Sequence, residues 1–125
     1  MKLKKDNTDQ KLRGAYYTPI TLAKSMVSLF VSEAPLRTLE PSCGDGVFID
    51  SLAEMGMLNK IKDLTAIEID TIEAGKVKKK YEANKVVKVL NEDFFDFYKR
   101  SYQKEQYDLI LGNPPYIRYQ YLTEK

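Results

Sequence analysis

The chain has 125 residues, of which 43% are hydrophobic and 30% charged, and its formal net charge is +2. This length suits one small domain, and no apolar run approaches the roughly 20 residues that span a bilayer. The single cysteine, Cys43, and the absence of histidine exclude an internal disulfide and leave a structural zinc site without its usual ligands. Because the N-terminus also lacks a secretory signal, we expect a cytoplasmic protein with no metal ion.

The first segment of the chain differs in composition from the rest. Residues 1–14 carry five basic and two acidic side chains. We expect a flexible basic tail there, followed by a folded domain over residues 15–125. A second basic run, over residues 76–80, is interpreted as a solvated helix face rather than a phosphate-binding patch.

Hydrophobic spacing predicts the elements in chain order. Thr18 and Pro19 are typical of a helix cap and first turn, and apolar residues follow at helical spacing up to Pro35. Strands are predicted at residues 36–40, 64–69, 86–90 and 107–111, and further helices at 46–57, 70–84 and 94–103. The helical residues predicted to face the core are Leu22, Met26, Leu29, Phe30, Phe48, Leu52, Met55, Ile72, Val77 and Tyr81. This alternation predicts an α/β fold, a mostly parallel sheet with helices on its faces.

A glycine turn follows the first predicted strand, in the sequence Glu40-Pro41-Ser42-Cys43-Gly44-Asp45-Gly46. Gly44 and Gly46 allow the backbone to approach a ligand closely. The dinucleotide fingerprint is not matched, because Ser42 stands where its first glycine is required. Glu40 would repel a pyrophosphate but could accept hydrogen bonds from an ammonium group. This favours S-adenosylmethionine, which has an ammonium and a sulfonium and no phosphate; alternatively, the glycines only shape a tight turn.

Acidic residues end the next two predicted strands. Glu68 lies 22 residues after Gly46, near the separation of about 20 residues at which an acid accepts the hydroxyls of a ribose. Asp70 is better placed as a helix N-cap. Asp93 followed by Phe94 suits a purine, with the carboxylate facing the exocyclic amine and the ring beside the base. The alternative for Glu68 is an exposed acid at a strand end. The alternative for Asp93 is a helix-capping acid, followed by two phenylalanines in the core.

The last predicted strand leads into Asn113-Pro114-Pro115-Tyr116. The Asn113 side-chain oxygen is an acceptor, and the prolines hold the backbone extended, so that a main-chain carbonyl can point at the same place. Two carbonyls that converge on one amino group would hold it and favour its pyramidal, nucleophilic form. Tyr116 offers a face for a planar ring. The alternative is a turn that only ends the strand.

Together these motifs resemble S-adenosylmethionine-dependent DNA adenine-N6 methyltransferases, over roughly residues 11–120. The upstream sequence Arg13-Gly14-Ala15-Tyr16-Tyr17-Thr18-Pro19 is similar to that of the gamma class, especially the methyltransferase part of combined type II restriction–modification enzymes. The resemblance implies a Rossmann-like methyltransferase fold, with helices on both faces of the sheet and truncated here after about four strands.

The resemblance also implies site residues. For the cofactor, Tyr17 (through its backbone) and Thr18 would hold the methionine carboxylate and Glu40 its amino group. Glu68 would bind the ribose and Asp93 the adenine amine. The remaining cofactor-binding positions would be Ser42, Gly44, Gly46, Phe94 and Asn113. For the target, Asn113 and the Pro114 carbonyl would hold the N6 amine, and Tyr116 would stack on an adenine flipped out of the duplex. Methyl transfer would be in line and would depend on positioning rather than on an acid–base pair.

In this family further strands and a DNA-reading region follow the Asn-Pro-Pro-Tyr loop, whereas this chain stops at Lys125. We therefore expect an N-terminal fragment that is inactive alone. It would act on double-stranded DNA only with a C-terminal part or a partner chain that carries target recognition. Two alternatives stay open: a methyltransferase acting on protein glutamine or RNA guanine, and a non-catalytic cofactor-binding module.

Overall fold

A computed structural model describes residues 18–29 and 36–112 of the chain. Helices and strands alternate within these ranges as the spacing predicts. In chain order the elements are α1 (Ile20–Ser28), β1 (Arg37–Glu40), α2 (Val47–Glu54), β2 (Asp63–Ile67), α3 (Thr71–Lys80), β3 (Val87–Leu90), α4 (Phe94–Ser101) and β4 (Leu109–Ile110). None of the helices described is long or apolar enough to cross a membrane.

The four described strands form one sheet in the order β3-β2-β1-β4, and every neighbouring pair is parallel. The sheet grows from β1 through β2 to β3, and the chain then returns to place β4 on the other side of β1. The strand order therefore reverses between β1 and β4. In parallel sheets such a reversal opens a crevice at the carboxyl ends of the two strands, and ligands bind there.

Helices cover both faces of the sheet, as predicted. On one face, Leu64, Ala66 and Val89 belong to a buried cluster with residues of the first three helices: Ala23, Val27, Phe48, Ile49, Leu52, Ala74 and Val77. On the other face, Leu39 and Ile67 pack against Phe97 of α4. The two clusters alternate along each strand because successive side chains of a strand point to opposite faces.

The predicted core-facing side of α1 is correct only at Met26, which is partly buried against the core. Ala23 and Val27 are the buried residues of this helix, whereas Leu22 and Leu29 are 50% and 78% exposed. These small side chains bring α1 close to the core, and the larger leucines stay outside. Pro19 was predicted at the first helical position but is the N-cap, in extended conformation, of a helix that begins at Ile20. Phe30 lies outside the described residues.

Two further core predictions are wrong. Met55 is 37% exposed because α2 ends at Glu54, where Gly56 adopts a left-handed conformation with φ of 69°. Ile72 is 70% exposed in the first turn of α3, whose buried residues are Ala74 and Val77. The basic run of α3 is exposed, as predicted for a solvated face.

Candidate functional site

The predicted site residues that the structure describes follow the carboxyl ends of the strands. Glu40 is the last residue of β1, Glu68 follows β2, Asp93 comes three residues after β3, and Gly112 comes two residues after β4. Because the strands are parallel, these ends lie at one edge of the sheet. The reversal between β1 and β4 lies at this edge. The fold therefore brings the glycine turn, Glu68 and Asp93 to the same edge as the segment that leads to Asn-Pro-Pro-Tyr.

The glycine turn is fixed to the end of β2. The Cys43 N–H donates to the Ile67 carbonyl at 2.8 Å, and the Gly46 N–H donates to the Cys43 carbonyl at 2.8 Å. Gly44 and Gly46 both have positive φ, 55° and 84°, and Gly46 is the N-cap of α2. The surroundings of the two glycines differ. A Cβ on Gly46 would lie 3.2 Å from Val77 Cγ2, whereas a Cβ on Gly44 would meet nothing within 4 Å.

This difference yields a matched pair of variants. Gly44→Ala should lower the free energy of unfolding by about 1–2 kcal/mol, the cost of placing a Cβ in left-handed backbone. Gly46→Ala has the same backbone cost, and its Cβ also crowds Val77. It should therefore lower the free energy of unfolding by about 1 kcal/mol more than Gly44→Ala does. Urea denaturation of the two variants checks the difference. Equal losses would show that Val77 moves aside at no cost.

Glu68 joins the glycine turn to the end of β2. Its Oε1 accepts a hydrogen bond from the Gly44 N–H at 2.8 Å, and its Oε2 accepts one from the Asp70 N–H at 2.8 Å. The side chain is buried, so the alternative of an exposed strand-end acid is wrong. A carboxylate has about four lone-pair sites. Both oxygens of Glu68 therefore keep acceptor capacity, and its ribose role stays a prediction.

Asn91 supports this arrangement, and the sequence analysis assigned it no role. Its side-chain Nδ2 donates to the Glu68 carbonyl at 2.9 Å and to the Ile69 carbonyl at 3.1 Å. The amide thus ties the segment after β3 to the segment that carries the Glu68 carboxylate. An amide two residues before Asp93 was the only signal in the sequence, and a short polar side chain at a strand end is too common to identify its partners.

Glu40 is the least expected feature of the site. Its side chain is 1% exposed, and its Oε1 accepts no hydrogen bond from any described residue. Burial, with the nearby carboxylates of Asp45, Glu68 and Asp50, raises the pKa of Glu40 well above its usual range. Buried polar atoms are nearly always paired. The unpaired oxygen therefore indicates a hydrogen-bond donor that the described residues do not supply.

The segment that leads to the Asn-Pro-Pro-Tyr sequence begins against Glu40. A Cβ on Gly112 would lie 3.6 Å from Glu40 Cγ and 3.8 Å from Pro41 Cδ. The Leu111 N–H donates to the Leu39 carbonyl at 2.9 Å, which holds the end of β4 beside β1. The two distances from the Cβ on Gly112 are ordinary van der Waals distances, so the backbone at Gly112 lies beside the Glu40 side chain.

Asp93 caps α4, as its alternative interpretation predicted. Its Oδ1 accepts a hydrogen bond from the Phe95 N–H at 2.7 Å. The prediction of two core phenylalanines is only half correct, because Phe94 packs against Phe97 whereas Phe95 is 69% exposed. Capping uses one carboxylate oxygen of Asp93. The other accepts no hydrogen bond within the described ranges, so the cap leaves an acceptor for a ligand amine.

The remaining predicted residues are less constrained. Ser42 is half-buried within the glycine turn, and Thr18 is buried just before α1. Cys43 is buried, and burial with the nearby Glu40 raises the pKa of its thiol, so it is held as a neutral thiol. Tyr17, Asn113, Pro114 and Tyr116 lie outside the described residues, as does the predicted tail over residues 1–14.

A parallel sheet with a strand-order reversal, a glycine turn after β1 and an acid after β2 defines the class of Rossmann-like methyltransferase folds. Within this class, the sequence of residues 10–125 matches the family described as "Eco57I restriction-modification methylase". The chain belongs to this family.

Two curated relatives give the scale of the similarity. The chain is 38% identical over 114 residues to Type II methyltransferase M.HincII of Haemophilus influenzae, covering 89% of this chain. It is 32% identical over 136 residues to Type II methyltransferase M.BanIII of Aneurinibacillus aneurinilyticus, covering 90% of this chain. The chain spans only 18% and 23% of the lengths of these two relatives.

A solved structure confirms the fold. The type I restriction-modification system methyltransferase subunit from Streptococcus thermophilus superposes with a TM-score of 0.63 at 17% sequence identity. The match covers 81% of this chain and 23% of that subunit. The predicted Rossmann-like fold is therefore correct for the described residues.

Proposed function

We propose that this chain is the cofactor-binding part of a DNA adenine-N6 methyltransferase that uses S-adenosylmethionine. The observation that carries the proposal is the Oε1 of Glu40, which is buried without a donor among the described residues at the end of β1, where the strand order reverses. A restriction–modification role is supported by the family and by the relatives, which are named as type II methyltransferases.

The residues of the crevice fit S-adenosylmethionine in charge and in hydrogen bonding. Glu40 would accept from the ammonium group, which supplies the missing donor together with a compensating positive charge. Gly44 and Gly46 leave room for close approach. Glu68 would accept the ribose hydroxyls, and the unused oxygen of Asp93 would accept the adenine amine. When bound, S-adenosylmethionine supplies an electrophilic methyl group on a sulfonium.

Thr18, Ser42, Phe94 and the backbone of Tyr17 complete the proposed cofactor site. Thr18 and Tyr17 would hold the methionine carboxylate, and Phe94 would lie beside the adenine. Phe94 is half-buried at the start of α4. It packs against Phe97, at 6.2 Å between ring centroids, which would hold the ring in place.

The target side of the site is proposed from the Asn-Pro-Pro-Tyr sequence. Asn113 and the Pro114 carbonyl would hold the N6 amine of a flipped adenine, and Tyr116 would stack on the base. The position of Gly112 beside the Glu40 side chain supports this, because Asn113 follows Gly112 directly in the sequence. The chain spans 18% of the length of M.HincII. We therefore assign recognition of the double-stranded DNA site to polypeptide outside the chain.

Transfer of a tritiated methyl group tests the reaction. The product of the complete reading frame is incubated with labelled S-adenosylmethionine and, separately, with duplex DNA, RNA and protein. We expect label in DNA, recovered as N6-methyladenine after digestion to nucleosides, and none from residues 1–125 alone. Label in RNA guanine, in protein glutamine or on cytosine would contradict the proposal. Label in no substrate, with S-adenosylmethionine still bound, would identify a non-catalytic cofactor-binding module.

A further inference from the structure

We propose that Glu40 is protonated in the cofactor-free protein and gives up its proton when the cofactor ammonium binds, so that cofactor binding releases one proton. This inference rests on the proposed function and adds to it a pH dependence of the same site. Glu40 carboxylic acid and a ligand ammonium would form a carboxylate–ammonium pair, and the acid proton would pass to solvent.

The geometry gives Glu40 no means of staying ionised by itself. Its side chain is 1% exposed, and Oε1 has no donor among the residues that the structure describes. The register places Glu40 opposite Ala66, on the sheet face buried by α1, α2 and α3. The neighbouring polar group on this face of β1, the Thr38 hydroxyl, likewise has no hydrogen-bond partner among the described residues. An ionised carboxylate in such a place has almost no access to water and no donor to Oε1 among the described residues, so the neutral acid is favoured.

The charged groups around Glu40 favour its neutral form further. Three acidic side chains each raise the pKa of Glu40: Asp45 in the glycine turn, Glu68 after β2 and Asp50 on α2. Gly112, which comes two residues after β4 and carries no charge, lies beside the Glu40 side chain.

Two cations on the helices of this side of the sheet have acidic partners. Lys24 of α1 pairs with Glu54 at 3.1 Å, and Lys80 of α3 pairs with Asp50 at 2.9 Å. Within residues 18–29 and 36–112, the charged groups that shift the pKa of Glu40 are all acidic. A cation brought by a ligand would therefore favour the ionised form of Glu40.

A binding equilibrium that releases a proton depends on pH in a defined way. The ammonium lowers the pKa of Glu40 in the complex below its raised value in the free protein. Between these two pKa values, affinity should rise about tenfold for each unit of pH. Above the raised pKa, Glu40 is already ionised and the dependence disappears. A cofactor-like nucleoside without an ammonium group should show no such dependence.

Carbon-13 NMR of the 14.4 kDa chain, labelled at glutamate side-chain carboxyls, tests the free state directly. The Glu40 signal is identified by its loss in Glu40→Gln. We expect it at the position of a protonated carboxyl at pH 6, where the signals of exposed glutamates have moved to the ionised position. A Glu40 signal already at the ionised position at pH 6 would overturn the inference, whatever the ligand result.

Calorimetry tests the linkage. S-adenosylmethionine is titrated at pH 6.5 into the same chain in buffers that differ in ionisation enthalpy, and the number of protons released follows from the differences. 5′-Methylthioadenosine, which keeps the nucleoside and sulfur but lacks the ammonium, is the matched ligand control. We expect release of about one proton with the first ligand and none with the second. Glu40→Gln should remove the release, but the two-ligand comparison in the unchanged chain does not depend on how that variant folds.

The possible failures are distinct. Binding of S-adenosylmethionine without proton release would overturn the inference and leave the cofactor assignment standing. If neither ligand binds at millimolar concentration, to this chain or to the product of the complete reading frame, the cofactor assignment fails and the linkage fails with it.

Discussion

Replacement of Asn113 by alanine should lower the rate of methyl transfer by the complete enzyme at least ~100-fold, the loss that follows removal of one preorganised polar contact to a transition state. The Asn113 amide oxygen is proposed to hold the target amine and to favour its pyramidal form. The affinity for S-adenosylmethionine should change little, because this contact is made to the target. Single-turnover rates and cofactor titrations measure the two effects separately.

Tyr116 provides the matched controls for this experiment. Tyr116→Phe keeps the stacking face and should leave the rate almost unchanged. Tyr116→Ala removes a contact worth about 1–3 kcal/mol per base, so it should weaken capture of the flipped adenine, which fluorescence of 2-aminopurine at the target position reports. A near-normal single-turnover rate for Asn113→Ala would remove the main argument for transfer to an amine.

Replacement of Glu68 by alanine should affect both stability and cofactor binding. The Gly44 N–H and the Asp70 N–H would lose their acceptors, and each bond to a charged group contributes about 1.5–3 kcal/mol. We expect a clear fall in the free energy of unfolding without any ligand present, measured by urea denaturation. Glu82→Ala, at an exposed position, is the control and should change little. Equal stability of Glu68→Ala and the unchanged chain would contradict the structural role.

This structural role means that the ribose contact needs a different variant. Glu68→Gln keeps one carbonyl oxygen as an acceptor but loses the charge and the second acceptor. Affinities are then compared for 5′-methylthioadenosine and its 2′,3′-dideoxy analogue. The unchanged chain should prefer the ligand with both hydroxyls, and the preference should be nearly lost in Glu68→Gln. A preference that survives the substitution would contradict the ribose role and leave the stabilising role intact.

Local signals were sufficient for the order of the elements and for the position of the site along the chain. Short apolar runs alternating with helical spacing gave each described helix and strand within a few residues, because both periodicities are properties of neighbouring residues. Asp70 was assigned correctly as the N-cap of α3, since its side chain accepts from Ile72 N–H and Glu73 N–H, only two and three residues away. The parallel sheet followed from the same alternation.

Which side of a helix is buried was predicted less well. Leu22 and Ala23 are adjacent, and both fit a helical period, but only Ala23 is buried. The helical spacing of apolar residues restricts the buried side of a helix to a few neighbouring positions. Which of these positions is buried depends on the element that packs against the helix. The same limit explains the exposure of Ile72 beside the buried Ala74. Hydrophobicity alone favours the larger residue, whereas close packing here selects the smaller one.

The sequence by itself determined that acids and glycines stand at the ends of successive parallel strands, which is enough to predict a ligand site at one edge of a sheet. Only the tertiary structure decided what these acids do when no ligand is bound. Glu68 stands 24 residues from the Gly44 N–H that it accepts from, and Gly112 stands 72 residues from the Glu40 side chain that it contacts. The fold buries Glu40 at the end of β1, beside the returning β4, where no described residue donates to its Oε1. The burial of these two carboxyls and their hydrogen-bond partners depend on residues distant in the chain. No local pattern of apolar and polar residues therefore encodes them.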